Sequence, residues 1–116
     1  MIDDLNQFLP LSPAVLHILL ALSGEDRHGY GIMQEIARQT EGRYKLGPGT
    51  LYDNLEKLLE NAIVKESAQP SSDEDPRRRY YRLTGTGRRL LAAELARLED
   101  IVREGKAKLR LSPRKA

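Results

Sequence analysis

Cysteine and tryptophan are absent from this 116-residue chain, which has one phenylalanine, two methionines and two histidines. Without cysteine there is neither a disulfide nor a thiolate metal site, and a reducing interior is the simplest home. No apolar run is long enough to cross a bilayer: the longest, "AVLHILLAL" at 14–22, is interrupted by His17. The opening "MIDDLNQFLP" carries two early acids and no basic segment, so no secretory signal is expected. These absences point to a soluble cytoplasmic protein with no membrane partner. Catalytic chemistry is equally unsupported. No nucleophile stands beside a base, and "GPGTLY" lacks the lysine of a phosphate loop. His17 and His28 have no partner at ligand spacing. No enzyme, metal or cofactor is expected, and His17 reads as a satisfied core histidine.

The formal charge of +2 is small, but it is unevenly spread. Residues 1–40 hold two arginines against five acids, whereas "RRRYYRLTGTGRR" at 77–89 holds six arginines and no acid. The stretch "GKAKLRLSPRKA" at 105–116 adds five basic residues. Clustered basic charge is the footprint of a polyanion partner.

The length is that of one domain. A first helix opens with Ser12 as cap and Pro13 in the first turn, where its missing N–H costs nothing. Val15, Ile18, Leu19 and Leu22 form its core stripe, widened by Leu16 and Leu20, and Gly24 ends it. A second helix spans about 29–40, with Ile32, Met33, Ile36 and Ala37 inward and Gln34, Glu35 and Arg38 outward; Gly42 stops it. "RYKL" at 43–46 is short enough to add one edge strand.

"GPGTLYDNLEKL" at 47–58 sets two glycines and a proline at the entrance of a third helix. Gly47 or its neighbour caps it, and Pro48 fits the first turn. Leu51, Leu55, Leu58 and Leu59 recur at helical spacing, so one face is core. The other carries Thr50, Asp53 and Lys57, with Asn54 beside them. Gly49 leaves no side chain to keep a phosphate or base from a helix start that presents free N–H groups.

"AIVKESAQ" at 62–69 and "RRRYYRLT" at 77–84 read as paired strands joined by "PSSDEDP", a long mobile tip. Alternation sends Arg78 to the side opposite Arg77 and Arg79. Tyr80 and Tyr81 are opposed likewise, one covering the core and the other facing the helix interface or DNA. Asp73, Glu74 and Asp75 oppose the arginines beside them and are expected to fold back onto them in the free protein. A fourth helix, capped by Thr84 or Thr86, runs to about residue 110. Leu91, Leu95, Leu98, Val102 and Leu109 mark a seam, broadened by Leu90 and Ile101, too long for a three-helix core to cover. Three helices, a hairpin and a long helix make the fold class mainly α with a small β-hairpin. This is a winged helix-turn-helix whose last core helix enters the major groove.

"LSPAVLHILLAL", "HGYGIMQEI", "LGPGTLYDNLEKLLENAIV" and "RRRYYRLTGTGRRLL" together resemble the PadR family of bacterial transcriptional regulators, in family order over about 11–91. The resemblance implies a homodimeric repressor, activation being less usual, that leaves a palindromic operator on meeting a small molecule. It implies a winged-helix DNA-binding domain over 1–84, with the recognition helix at 48–61 and the wing at 63–83. The dimerisation helix falls within 85–111 and a basic tail at 112–116. The DNA-facing set is Tyr30, Lys45, Gly49, Thr50, Tyr52, Asn54, Lys57, Arg77, Arg78 and Arg79. Within it Asn54 suits adenine, Lys57 a phosphate, and Tyr52 the core edge with its hydroxyl toward phosphate. The dimer seam is Leu91, Leu95, Leu98, Val102 and Leu109. An apolar or aromatic effector is placed near Phe8, Leu16 and Leu98, between the long helix and the core. Three departures from the family pattern stand out. Ala62 replaces a glycine, leaving Asn61 to stop the helix. Asp53 puts a negative charge on the DNA face. The absence of tryptophan excludes a drug pocket of stacked indoles. The competing reading is a winged-helix protein-interaction adaptor, against which the arginine cluster speaks. The first ten residues suit a short helix crossing to a partner subunit.

Overall fold

The computed structural model describes residues 4–110; the expected basic tail at 112–116 lies outside the described residues. A 3-10 turn, Leu5–Phe8, precedes α1 (Pro13–Ser23). Then follow β1 (Arg27–His28), α2 (Gly29–Gln39), α3 (Pro48–Glu60), β2 (Val64–Ser67), β3 (Tyr80–Leu83) and α4 (Gly85–Leu109). The antiparallel sheet has the order β1-β3-β2, with His28 opposite Tyr80 and Ser67 opposite Tyr80 on the other edge.

Ser12 caps α1 by accepting the Val15 N–H, and Pro13 stands in its first turn. Ile18, Leu19, Ala21 and Leu22 are buried against Ile32 and Ile36 of α2, Leu51 and Leu55 of α3, and Leu90 and Leu91 of α4. The amphipathic helices thus close on one core, joined by Ile63, Val64, Tyr81 and Leu83 from the sheet. The 3-10 turn packs its Leu5 and Phe8 onto this same core.

Several expectations are corrected. Residues 43–46 form no strand. The end of α2 is turned by Glu41 (φ 53°) and Gly42 (φ 77°), and Thr40 Oγ1 then accepts the Tyr44 N–H while Leu46 is buried. The third strand comes from Arg27–His28. Glu35 is half-buried, because Arg38 and Arg27 both pair with it. Asn61 is not the left-handed residue after α3 (φ −95°); Ala62 is, at φ 58°. The Ala62 N–H reaches Leu59 O and the Ile63 N–H reaches Leu58 O, closing the turn a glycine would ordinarily make. His17 is not satisfied: it stacks on Tyr44 with ring centres 4.8 Å apart, and its buried Nδ1 has no hydrogen-bond partner among the described residues.

Of the two threonines, Thr84 caps α4, accepting the Gly87 N–H at 3.0 Å and donating to Ala62 O. The helix has 25 residues, about 37 Å at ~1.5 Å each. It draws the radius of gyration to 16.3 Å, above the ~13 Å of a compact domain of about 100 residues. Its first turns lie in the core. Glu94, the buried charged residue among those described, accepts the Leu11 N–H at 3.1 Å and clamps Arg97 at 2.6 Å. Hydrogen bonding from Arg97 lowers the Glu94 pKa against the opposing effect of burial. Beyond Glu94 the helix leaves the core.

Candidate nucleic-acid interface

The N-terminus of α3 differs from those of the other α-helices. Ser12, His28 and Thr84 each cap their helices through a side chain, whereas Gly47 offers none. The first intrahelical bond of α3 is Leu51 N–H to Gly47 O at 3.0 Å, so Gly49 and Thr50 keep their N–H groups for an outside acceptor. Cβ atoms built on Gly47 or Gly49 would meet nothing within 4 Å, so this entrance is open to solvent. No acid stands in the first turn. An open helix start with free donors is suited to an anion.

Thr50, Tyr52, Asp53, Glu56 and Lys57 are exposed on α3. Asn54 is half-buried, and its amide donates to Thr50 O at 2.8 Å, so in this state it is engaged on its own helix. Tyr52 does not tuck into the core: it is 48% exposed, with its ring lying over Gly29. A Cβ on Gly29 would overlap the Tyr52 phenol. The two sequence blocks "HGY" and "PGTLY" therefore meet as one contact between α2 and α3.

Beside that contact lies an open cleft of about 430 Å³. The start of α2 contributes His28, Gly29 and exposed Tyr30; α3 contributes Tyr52 and β3 contributes Tyr81. Its outer wall is Asp75 with Arg77, Arg78 and Arg79. His28 is a structural residue here, missed in the sequence because it is not among the usual capping types. Its Nδ1 accepts the Gly31 N–H at 3.0 Å, and its ring meets Tyr80 edge-on at 5.2 Å. Burial, helped by the Arg78 charge and opposed by Asp73, lowers the His28 pKa, which favours the neutral form that the cap requires.

The strands are shorter than the sequence pattern suggested, and Arg77, Arg78 and Arg79 precede β3. Strand alternation therefore does not sort them, and all three line the cleft. Nor do Tyr80 and Tyr81 divide between inside and outside: both are buried, Tyr81 within the core cluster and Tyr80 beside the His28 ring. The Tyr80 hydroxyl donates to Asp73 Oδ2 at 2.6 Å. That bond, with the Asp75 amide, draws the Asp73 carboxyl down to about 2. Arg78 reaches Asp73 at 3.6 Å and Asp75 at 3.9 Å, and Arg77 reaches Asp75 at 3.3 Å. Lys45 is exposed on the loop between α2 and α3.

On α4, Leu91 is buried within its own core and so is turned away from any partner, while Leu98 is half-buried. Leu95, Ile101, Val102 and Leu109 are exposed. Leu95, Leu98 and Val102 line an open groove with Glu99, Arg103 and Lys106. Among the described residues Phe8 and Leu98 line different spaces, because the 3-10 turn carries Phe8 toward α3 while Leu98 lies out along α4. Phe8 lines a recess of about 210 Å³ with Leu11, Val15, Asn54, Lys57 and Leu58; Leu16 lines neither space.

Residues 15–93 match the model of the transcriptional regulator PadR-like family. The chain is 33% identical over 89 residues to the transcriptional regulator Rv3488 of Mycobacterium tuberculosis, covering 77% of this chain and 78% of that one. A PadR-like transcription factor from Bacteroides fragilis superimposes with a TM-score of 0.69 at 25% identity, over 90% of this chain and 98% of the other. Bacillus subtilis PadR, solved with operator DNA, superimposes at 0.59 and 22% identity, over 74% of this chain and 48% of that one; the likeness is one of fold.

Proposed function

Because the chain belongs to the PadR-like family of transcriptional regulators, we propose that it acts as a homodimeric repressor on a palindromic operator in duplex DNA. The carrying observation is that Tyr52, two residues beyond the open start of α3, lines the same cleft as Arg77, Arg78 and Arg79. Groove-facing helix and backbone-facing cations are thereby adjacent. The Gly49 and Thr50 N–H groups serve a phosphate, as do Lys45, Lys57, Tyr30 and the wing arginines. Asn54 reads a base edge after its amide leaves Thr50 O. Asp53 is tolerated on this face where it accepts from a cytosine amino group.

Residues 1–84 are the DNA-binding body and 85–111 the dimerisation helix, whose Leu95, Leu98, Val102 and Leu109 meet a second copy. Removing such a row from water is a driving force of association. Two-fold pairing sets the two α3 helices about one DNA turn, ~34 Å, apart. Residues 112–116 add weak backbone contacts in the cytoplasm. An apolar or aromatic effector fits the recess beside Phe8, next to Asn54 and Lys57, and releases the operator by favouring another dimer geometry.

The test is selection of bound duplexes from a random library at about 150 mM salt, near physiological ionic strength. A palindrome with half-sites about one turn apart is expected. Recovery of no preferred sequence, with binding that vanishes as salt rises, would overturn the reading.

A further inference from the structure

We propose that Asp73 and Asp75 act as internal stand-ins for DNA phosphate, holding Arg78 and Arg77 in ion pairs that a phosphate must replace before the wing engages. The proposal rests on the DNA-binding reading above. Its ground is the asymmetry among three consecutive acids. The Asp73 side chain is 7% exposed on a half-buried residue, fixed by the Tyr80 hydroxyl at 2.6 Å and by the Asp75 N–H at 3.0 Å, with Arg78 at 3.6 Å. Asp75 accepts both the Arg77 N–H at 3.0 Å and its Nε–H at 3.3 Å, and faces Arg78 at 3.9 Å. Glu74 between them is exposed and makes no ion pair among the described residues.

The acids are thus placed by the fold of the wing. Tyr80, paired with β1 and β2, anchors Asp73, and Asp73 shapes the turn that presents Asp75. A carboxylate on a guanidinium occupies the donors that a phosphate oxygen would take. The resulting penalty falls on binding that has only backbone electrostatics to draw on.

Asp75→Asn keeps an oxygen to accept the Arg77 N–H and removes the charge. Freeing one cation for phosphate steepens the dependence of log K on log salt by ~0.9. Referred to 1 M salt, that is about a fivefold gain for random duplex at ~0.15 M. Wild type, Asp75→Asn and Glu74→Gln are compared on a random-sequence duplex over a salt series and on a heparin column, with circular dichroism confirming the fold. Asp75→Asn should show the steeper slope and elute later from heparin, while Glu74→Gln, with the same change in net charge, stays near wild type. Asp73→Asn carries the same expectation and serves if Asp75→Asn does not fold. Equal effects at 74 and 75, or none at 75, would overturn the proposal. If the wild type and the variants bind no duplex but Asp75→Asn still elutes later from heparin, the DNA reading fails and the wing pairing stands.

Discussion

Gly29→Ala tests the link between α2 and α3. The added Cβ would overlap the Tyr52 phenol, the far end of a side chain that is 48% exposed and has water to move into. Displacing that ring costs about 0.5–1.5 kcal/mol if it is left off a rotamer. Alanine in place of glycine in a helix returns about 0.5–1 kcal/mol. Net stability should therefore change by less than about 1 kcal/mol. Gly87→Ala is the contrasting case. Its Cβ would meet the Ile63 backbone carbonyl, which already accepts the Thr84 N–H at 3.1 Å. That oxygen cannot retreat without loosening the cap of α4, so about 3 kcal/mol of overpacking and lost hydrogen bonding is expected. Urea unfolding at one fixed protein concentration separates the two. A double-mutant cycle then isolates the contact: in a Tyr52→Ala background, Gly29→Ala should be neutral or stabilising. Affinity for operator should fall in Gly29→Ala about as far as in Tyr52→Ala, and no further in the double variant. Gly29→Ala as costly as Gly87→Ala, or equally costly without Tyr52, would refute the reasoning.

Two further outcomes concern stability. Ala62→Gly relieves a left-handed residue at the end of α3 (φ 58°) and should raise stability by about 0.5–1 kcal/mol, because the ~1–2 kcal/mol strain of an L-residue outweighs glycine's extra unfolded freedom; an unchanged or lower thermal midpoint would count against it. Hydrogen bonds from arginines hold Glu94 below its usual range and Glu35 at about 2, so the native state binds fewer protons than the unfolded chain in acid. Their contribution is complete above about pH 5 and lost as pH falls toward 2. The urea midpoint should drop across that window and drop less steeply in Glu94→Gln; an unaltered slope would contradict the assignment.

The starts of α1, α3 and α4 were legible because their signals are local: Ser12 before Pro13, Gly47 or its neighbour at Pro48, and Thr84 or Thr86, each ahead of a glycine, of which Thr84 is the cap. The leucine spacing of α3 likewise named Leu51, Leu55 and Leu58 as core. What sequence pattern did not reveal depends on partners far along the chain. Arg27–His28 has no alternation of its own and is a strand only through Tyr80 and Tyr81. Glu94 stands three residues after Leu91 on the buried side, and its burial depends on Leu11 and Arg97, partners that helical spacing does not name. The end of α3 was assigned to Asn61 by residue type, whereas the position of the last hydrogen bonds decides which residue turns left-handed. At the interface, the arginine cluster and the open glycine entrance could be read in advance. The cleft that sets the arginines beside Tyr52 of α3 could not, since it needs Gly29 beneath Tyr52 and the arginines drawn off the strand.

The Glu94 bond to Leu11 also defines a fulcrum. From there to Leu109 the helix runs another fifteen residues, about 22 Å, clear of the core. A tilt of about 10° at that point carries the far end about 4 Å, close to the ~3.4 Å rise of one base-pair step. If two copies pair along this helix as proposed above, a tilt of that size at the Glu94 anchor corresponds to about one base-pair step of half-site spacing. A change too small to disturb either DNA-binding body would alter which spacing the two can straddle.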